Sequence, residues 1–298
     1  GAIEAFSEAI QVDENYAPAY FNLGRACKEM GDISRSKVFF FRAVEIDPTN
    51  DIFQSNLGNT YMELGLNEQA LSYLTKATTL SPENSVHHFN LANVFRSLGR
   101  FDEAEDAFNS AQEPAEKAGL QDVIADILSN LADISLKRGD SDESLSMHRK
   151  ALELFIELDD ALGAARSYNN MGYILRRSSD KAKALEAYGE VESILQDNDS
   201  EELIPAQIVL ARSLLDLGEH DRARSHALSS YERSAESEDA ILHARARAVL
   251  GRYYAKTGDS DLALHHYTDA LETMGEAGDP LALVEVSILL GEVLQDSG

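Results

Sequence analysis

Apolar and small residues recur along the chain at the spacing of one helix face, and their order repeats. Residues 17–50 align without a gap to residues 51–84, so that Leu23-Gly24 corresponds to Leu57-Gly58. The offset is 34 residues. Residues three and four apart lie on one face of a helix, so a pattern of this kind that recurs within each period predicts repeated pairs of packed helices.

Glycines mark the predicted boundary between the two helices of each pair. Glycine suits the left-handed backbone conformation that ends a helix. Asp32 and Asn67, shortly after the first two of these glycines, are predicted to cap the helices that follow. The boundary positions are Gly31, Gly65, Gly99, Gly139, Gly218, Gly258 and Gly298, with Ser179 as the one exception.

After Ala111 the period lengthens to about 40 residues. The markers that correspond to Leu23-Gly24 are now Leu131-Ala132, Met171-Gly172, Leu210-Ala211, Leu250-Gly251 and Leu290-Gly291. The additional residues are expected to lengthen both helices of a repeat by part of a turn each.

A period of 34 residues with Leu-Gly in its first half, small residues in its second half and a late proline resembles the tetratricopeptide repeat (TPR). The later repeats are similar to the longer variant found in kinesin light chain, in spindle-orientation adaptors and in bacterial regulators. This resemblance extends over nearly the whole chain. It implies an all-α, right-handed superhelical solenoid of antiparallel helix pairs, with about sixteen helices.

The repeats divide the chain into four predicted segments of one continuous solenoid. The end segments are half-repeats without the polar outer face of a capping helix, which favours a fragment of a longer array; the alternative is that the ends are buried against another subunit. The segments are 1–16 (second helix of a truncated repeat), 17–118 (three 34-residue repeats), 119–279 (four longer repeats) and 280–298 (first helix of a truncated repeat).

Composition narrows the classes of partner. The chain has 52 acidic and 26 basic residues and a net charge of −26, so we expect no binding to nucleic acid or to anionic membranes. The acidity fits an ordinary acidic repeat protein or, alternatively, adaptation to high salt. A single cysteine and the lack of a long apolar run indicate a cytoplasmic protein without membrane insertion.

One polar residue recurs directly before the Leu or Met marker of five consecutive repeats. Asparagine is a poor helix former, but its amide can both donate to and accept from a peptide backbone. This asparagine ladder resembles the groove of O-GlcNAc transferase, which implies that it holds an extended chain; alternatively, it only solvates the groove or bonds a neighbouring helix. In the last three repeats Val209, Val249 and Leu289 take this position, so binding there would need apolar contact. The ladder consists of Asn22, Asn56, Asn90, Asn130 and Asn170.

Basic residues outnumber acidic ones on the same predicted face of the first helices, in contrast to the chain as a whole. Arginine binds carboxylates bidentately, so the groove is expected to attract an acidic peptide; the alternative is that these arginines pair with acids of the chain itself. The candidate residues beside the ladder are Arg25, Arg96, Arg166 and Arg176 for charge, Asn59 and Asn93 for further polar surface, and Phe21 and Phe89 for apolar pockets. Other basic residues on this face include Arg212, Arg245 and Arg252.

No phosphate loop, paired-cysteine motif or nucleophile motif occurs, so we expect neither enzyme activity nor a cofactor or metal. The sequence therefore predicts a protein-interaction module that binds a peptide segment of a partner. Two other hypotheses are a regulatory arm of a larger signalling protein and a homo-oligomer assembled through the terminal half-repeats.

Overall fold

The computed structural model describes residues 2–237, 239–277 and 280–296. Within them the chain forms sixteen α-helices, one short 3₁₀ turn (Glu201–Leu203) and no strand. The helices are α1 (Ala2–Val12), α2 (Ala17–Glu29), α3 (Ile33–Ile46), α4 (Asp51–Glu63), α5 (Asn67–Leu80), α6 (Ser85–Ser97), α7 (Phe101–Ala118), α8 (Gln121–Arg138), α9 (Ser141–Glu157), α10 (Ala161–Arg177), α11 (Lys181–Asp197), α12 (Ile204–Leu217), α13 (His220–Ser234), α14 (Ala240–Thr257), α15 (Ser260–Ala277) and α16 (Pro280–Asp296).

The chain divides into two compact units, unit 1 (Gly1–Asp140) and unit 2 (Ser141–Gly298). In unit 1 the helices pack as the pairs α2/α3, α4/α5 and α6/α7, with α1 before them and α8 after them. The first helices also contact one another, α4 with α6 and α6 with α8. Short connections make each pair antiparallel, which confirms the predicted all-α architecture of helix pairs.

Unit 2 has the same organisation. Its pairs are α10/α11, α12/α13 and α14/α15, and α16 packs on α15. The first helices form a row in which α10 contacts α12, α12 contacts α14 and α14 contacts α16. The first helices α10 and α14 have 17 and 18 residues, against 13 in α2, α4 and α6, as the longer period predicts, whereas α12 has only 14 and follows the 3₁₀ turn.

The predicted helix boundaries are confirmed wherever the chain is described. Gly31, for example, has a φ of 77°, and the exceptional Ser179 also takes the left-handed conformation, with a φ of 62°. The glycines that share this conformation are Gly65, Gly99, Gly139, Gly218 and Gly258, whereas Gly298 lies outside the described residues.

The two predicted helix caps have different outcomes. Asp32 accepts a hydrogen bond from the backbone N–H of Arg35, as expected for an N-cap. The prediction for Asn67 is wrong, because Asn67 is already the first residue of α5 and the N-cap is Leu66, which makes no side-chain cap.

The Leu-Gly marker has a steric cause. In the four pairs whose marker ends in glycine and lies within the described residues, a large side chain of the second helix lies directly over that glycine. A Cβ added to Gly172 would lie 2.5 Å from the ring of Tyr188, which is fully buried. The corresponding contacts are Gly24 with Phe40, Gly58 with Leu74 and Gly251 with Tyr267. The small residue therefore lets the two helices of a pair approach closely.

In unit 2, charged side chains also connect α11 to α13. Glu192 of α11 accepts two hydrogen bonds from Arg222 of α13, at 2.8 and 3.0 Å, and its Oε1 lies 3.0 Å from His226 Nε2. Burial acts to raise the pKa of Glu192, but the bonds to Arg222 and His226 outweigh it, so that the pKa lies below its ordinary value of 4.5.

We expect Gly172→Ala to lower the free energy of unfolding by about 1–3 kcal/mol, because the new methyl group overlaps the buried Tyr188 ring. Urea unfolding followed by circular dichroism measures the change. Gly189→Ala, inside α11, is the matched control, since nothing lies within 4 Å of a Cβ built there and alanine favours the helix. Equal destabilisation by the two substitutions would contradict the steric explanation.

We expect Glu192→Gln to destabilise the protein at neutral pH and to lose this effect in acid. The pKa of Glu192 is lowered by folding, so its charge stabilises the fold above about pH 4.5, and this contribution disappears as the pH falls through the lower folded-state pKa. Unfolding free energies of both proteins between neutral and acidic pH test this. Glu186→Gln, an exposed substitution on the same helix, should show no such pH-dependent difference.

Candidate functional site

The asparagine ladder lies on the first helices, and three of its members in unit 1 have the same side-chain conformation. Asn22, Asn56 and Asn130 are partly buried, and each Nδ2 donates to the backbone carbonyl four residues earlier. The distances from Nδ2 to the carbonyl oxygen are 2.9, 2.9 and 2.8 Å. Asn90 is also partly buried, on α6, and Asn170 lies on α10 in unit 2.

These bonds refine the expected chemistry of the ladder. An asparagine amide has two N–H donors and one oxygen, so a bond to the asparagine's own helix uses one donor and fixes the plane of the amide. The bond itself leaves the second N–H and the oxygen for a peptide. Each of the three amides is therefore held in the same orientation relative to its own helix. The sequence pattern did not indicate this bond within the helix.

The two flanking asparagines differ from each other. Asn93 makes the same bond as the three ladder asparagines, because its Nδ2 donates to the carbonyl of Phe89, four residues earlier, at 3.2 Å. Asn59 is partly buried, and its Oδ1 is inaccessible to solvent and has no hydrogen-bond partner within the described residues. Only the nitrogen end of Asn59 can reach a ligand without rearrangement of the side chain.

The two predicted apolar residues contribute to the interior of unit 1. The ring of Phe21 lies 4.9 Å from that of Phe53 and 5.5 Å from that of Phe40. Phe89 meets Phe108 edge to face at 5.7 Å. Both rings are partly buried, so their main contacts are with neighbouring helices, and only an edge of each remains for a ligand.

The candidate arginines have different surroundings. Arg25 and Arg96 of unit 1 are exposed, and Arg25 lies 3.8 Å from Glu29 on the next turn. In unit 2, Arg166 is exposed, whereas Arg176 pairs with Asp216 of α12 at 3.5 Å. Arg176 is thus held by an acid of the chain itself, as one of the two interpretations from the sequence expected.

Asp216 connects three successive first helices of unit 2. Besides Arg176 of α10, it accepts a hydrogen bond at 2.9 Å from Arg252 of α14. These partners are 36 and 40 residues away in the sequence, about one repeat on either side. The ion pairs therefore link neighbouring repeats and fix the position of Arg252.

Unit 2 contains a pocket of about 450 Å³ between α12, α14 and α16. Val209, Val249 and Leu289, the residues that replace asparagine in these repeats, all line it. Sequence analysis expected apolar contact here but identified no pocket. The lining residues that it did not select are Pro205, Ile208, Asp239, Ile241, Leu242, Ala248, Met274 and Val286.

Three guanidinium groups and one carboxylate complete the lining of this pocket. They belong to Arg212, Arg245, Arg252 and Asp239. The carboxylate of Asp239 caps α14, where it accepts a hydrogen bond at 3.0 Å from the backbone N–H of Leu242. The signal in the sequence was the helical spacing of the arginines from the valines, since Arg212 and Arg252 each follow a lining valine by three residues.

The terminal helix α16 exposes apolar side chains to solvent. Val284, Ile288 and Leu294 are each more than half exposed. Self-association through the terminal half-repeats, which would cover such residues, stays a prediction. Among the described residues, none of the helices is both long and apolar enough to cross a membrane.

Sequence models described as "Tetratricopeptide repeat" match residues 17–50, 55–119, 123–197 and 203–276. The chain belongs to the tetratricopeptide repeat family. No curated protein sequence matches it.

Solved TPR structures resemble this TPR chain at low sequence identity, which supports the fold alone. YrrB, described as a TPR protein with an unusual peptide-binding site, has a TM-score of 0.51 at 23% identity, covering 66% of this chain and 95% of YrrB. PilF of Pseudomonas aeruginosa has a TM-score of 0.57 at 18% identity, covering 78% of this chain and 96% of its own. A chain of the APC/C hetero-tetramer Cut9–Hcn1 has a TM-score of 0.62 at 15% identity, covering 98% and 52% respectively.

Proposed function

We propose that this TPR chain is a protein-interaction scaffold that holds an extended, acidic segment of a partner protein on the first helices of unit 1. Membership in the TPR family and the peptide-binding description of YrrB support protein binding in general. The observation that carries the specific proposal is the shared conformation of Asn22, Asn56 and Asn130, each bonded to its own helix.

Regular spacing of the amides suits recognition of a main chain. Packed helices lie about 8–10 Å apart, a distance that an extended chain covers in about three residues. Each ladder amide, including Asn90, would then meet a peptide group of the ligand at this interval. Bonds of this kind contribute about 0.5–1.5 kcal/mol each and depend little on the side chains of the ligand.

Charge supplies the preference for an acidic segment. Arg25 and Arg96 are exposed on first helices of unit 1, in a chain whose net charge of −26 repels acidic peptides elsewhere. We propose that Asn59 and Asn93 add polar surface, and Phe21 and Phe89 apolar surface, beside these arginines. In unit 2 we propose that Asn170, Arg166 and Arg176 contribute the equivalent amide and positive charges.

The test is the affinity of short acidic and neutral peptides, measured by fluorescence polarisation, for the wild-type chain and for an Asn56→Ala, Asn130→Ala double variant. Loss of two bonds should weaken binding of an acidic peptide by roughly 5- to 150-fold. Backbone N-methylation of the peptide should weaken binding similarly, because it removes the N–H groups. Added salt should weaken the binding of acidic peptides more than that of neutral peptides.

Asn109→Ala is the matched control, since Asn109 is an exposed asparagine on the second helix α7 and its loss should leave affinity unchanged. Binding of no peptide, or equal affinities of the double variant and the wild type, would overturn the proposal. Insensitivity to N-methylation would overturn the main-chain mode of recognition.

A further inference from the structure

The pocket of unit 2 differs in chemistry from the asparagine ladder. Its walls are mostly aliphatic, with Val209 on α12, Val249 on α14 and Leu289 on α16 at equivalent places in three successive repeats. The volume of about 450 Å³ falls within the range of about 300–1,000 Å³ in which proteins enclose small molecules. Sites of that class combine an apolar surface with a few polar groups that orient the ligand.

Charge at this pocket has the opposite sign to that of the protein. Three arginines and one aspartate line it, while the whole chain carries −26. Asp239 caps α14, and Asp216 bonds Arg252, so the three arginines exceed these two carboxylates by one charge. A guanidinium group is weakly hydrated and binds a carboxylate through two parallel hydrogen bonds, so this lining favours an anion over a cation.

Apolar and charged residues alternate along the same helix faces, about one turn apart. Arg212 follows Val209 by three residues and Arg252 follows Val249 by three residues, about one helical turn in each case. Arg245 precedes Val249 by four residues, on the same face of α14. A ligand whose hydrocarbon body lies on the valines therefore has a guanidinium group about one turn, or about 5 Å, away.

We infer that the pocket formed by α12, α14 and α16 is a binding site for a small apolar monocarboxylate, with the hydrocarbon body on Val209, Val249 and Leu289 and the carboxylate at the arginines. The volume of about 450 Å³ accommodates a whole small acid, and we therefore commit to a free acid as the ligand. This site is separate from the ladder of unit 1 and does not depend on peptide binding there.

Isothermal titration calorimetry with straight-chain monocarboxylates of increasing length, and with the primary alcohols of the same length, tests the inference. The chain contains no tryptophan, so a calorimetric signal is preferable to intrinsic tryptophan fluorescence. Affinity for the acids should rise about fourfold with each added methylene until the pocket is filled. Each acid should bind at least tenfold more tightly than its alcohol.

Two variants separate the apolar contribution from the charge. Arg245→Gln should weaken binding of the acids about tenfold and leave the affinity for the alcohols unchanged. Val209→Asn introduces the residue that the chain itself has at this position in five earlier repeats, so the fold should be retained while binding of both acids and alcohols weakens. Arg224→Gln, an exposed arginine on α13, is the control for loss of one positive charge.

The inference is overturned if no acid binds saturably, if acids and alcohols bind equally, or if Arg245→Gln binds acids as the wild type does. Binding of a peptide that ends in an apolar residue, without binding of the free acids, would also overturn it in favour of a peptide site. The Asn56→Ala, Asn130→Ala variant should bind the acids normally, so failure at one site is distinguishable from failure at the other.

Discussion

Close contact between a glycine of the first helix and a large side chain of the second underlies the packing of four helix pairs. Tyr188 is fully buried, and its ring lies 2.5 Å from the place that a Cβ of residue 172 would take, so a larger residue at position 172 would force the ring or the helices to move. The third repeat has Ala92 at the corresponding position, and both Ala92 and Phe108, which corresponds to Phe40 and Leu74, are fully buried. Small and large residues therefore alternate across each pair, and their fit sets how closely the helices approach.

This packing determines which residues remain for binding. The Leu-Gly edge of each first helix packs against the second helix of the same pair. The residue before the leucine therefore lies beside the core and is only partly buried in most repeats, as Asn56 and Val209 are. The same backbone position holds an amide in the early repeats and an aliphatic side chain in the last three. One architecture thus presents a row of asparagine amides in unit 1 and an apolar pocket in unit 2.

The candidate sites were predictable from the sequence only in part. The asparagine positions follow from the repeat, but the bond from Asn56 to its own helix depends on a rotamer that spacing does not specify. Pairing of Asp216 with Arg176 and Arg252 was equally beyond the pattern, because acids are abundant and each partner is about one repeat away. The pocket required knowledge of how three helices meet.

The sequence by itself determined the repeat period, the all-α helix pairs and the helix ends, including the exceptional Ser179. These are local properties, since the side-chain period and the left-handed conformation depend on neighbouring residues. Tertiary structure decided that Arg176 is paired and that Val209 borders a pocket. Such features arise where side chains from different helices meet, and no pattern within one helix records the distances between helices.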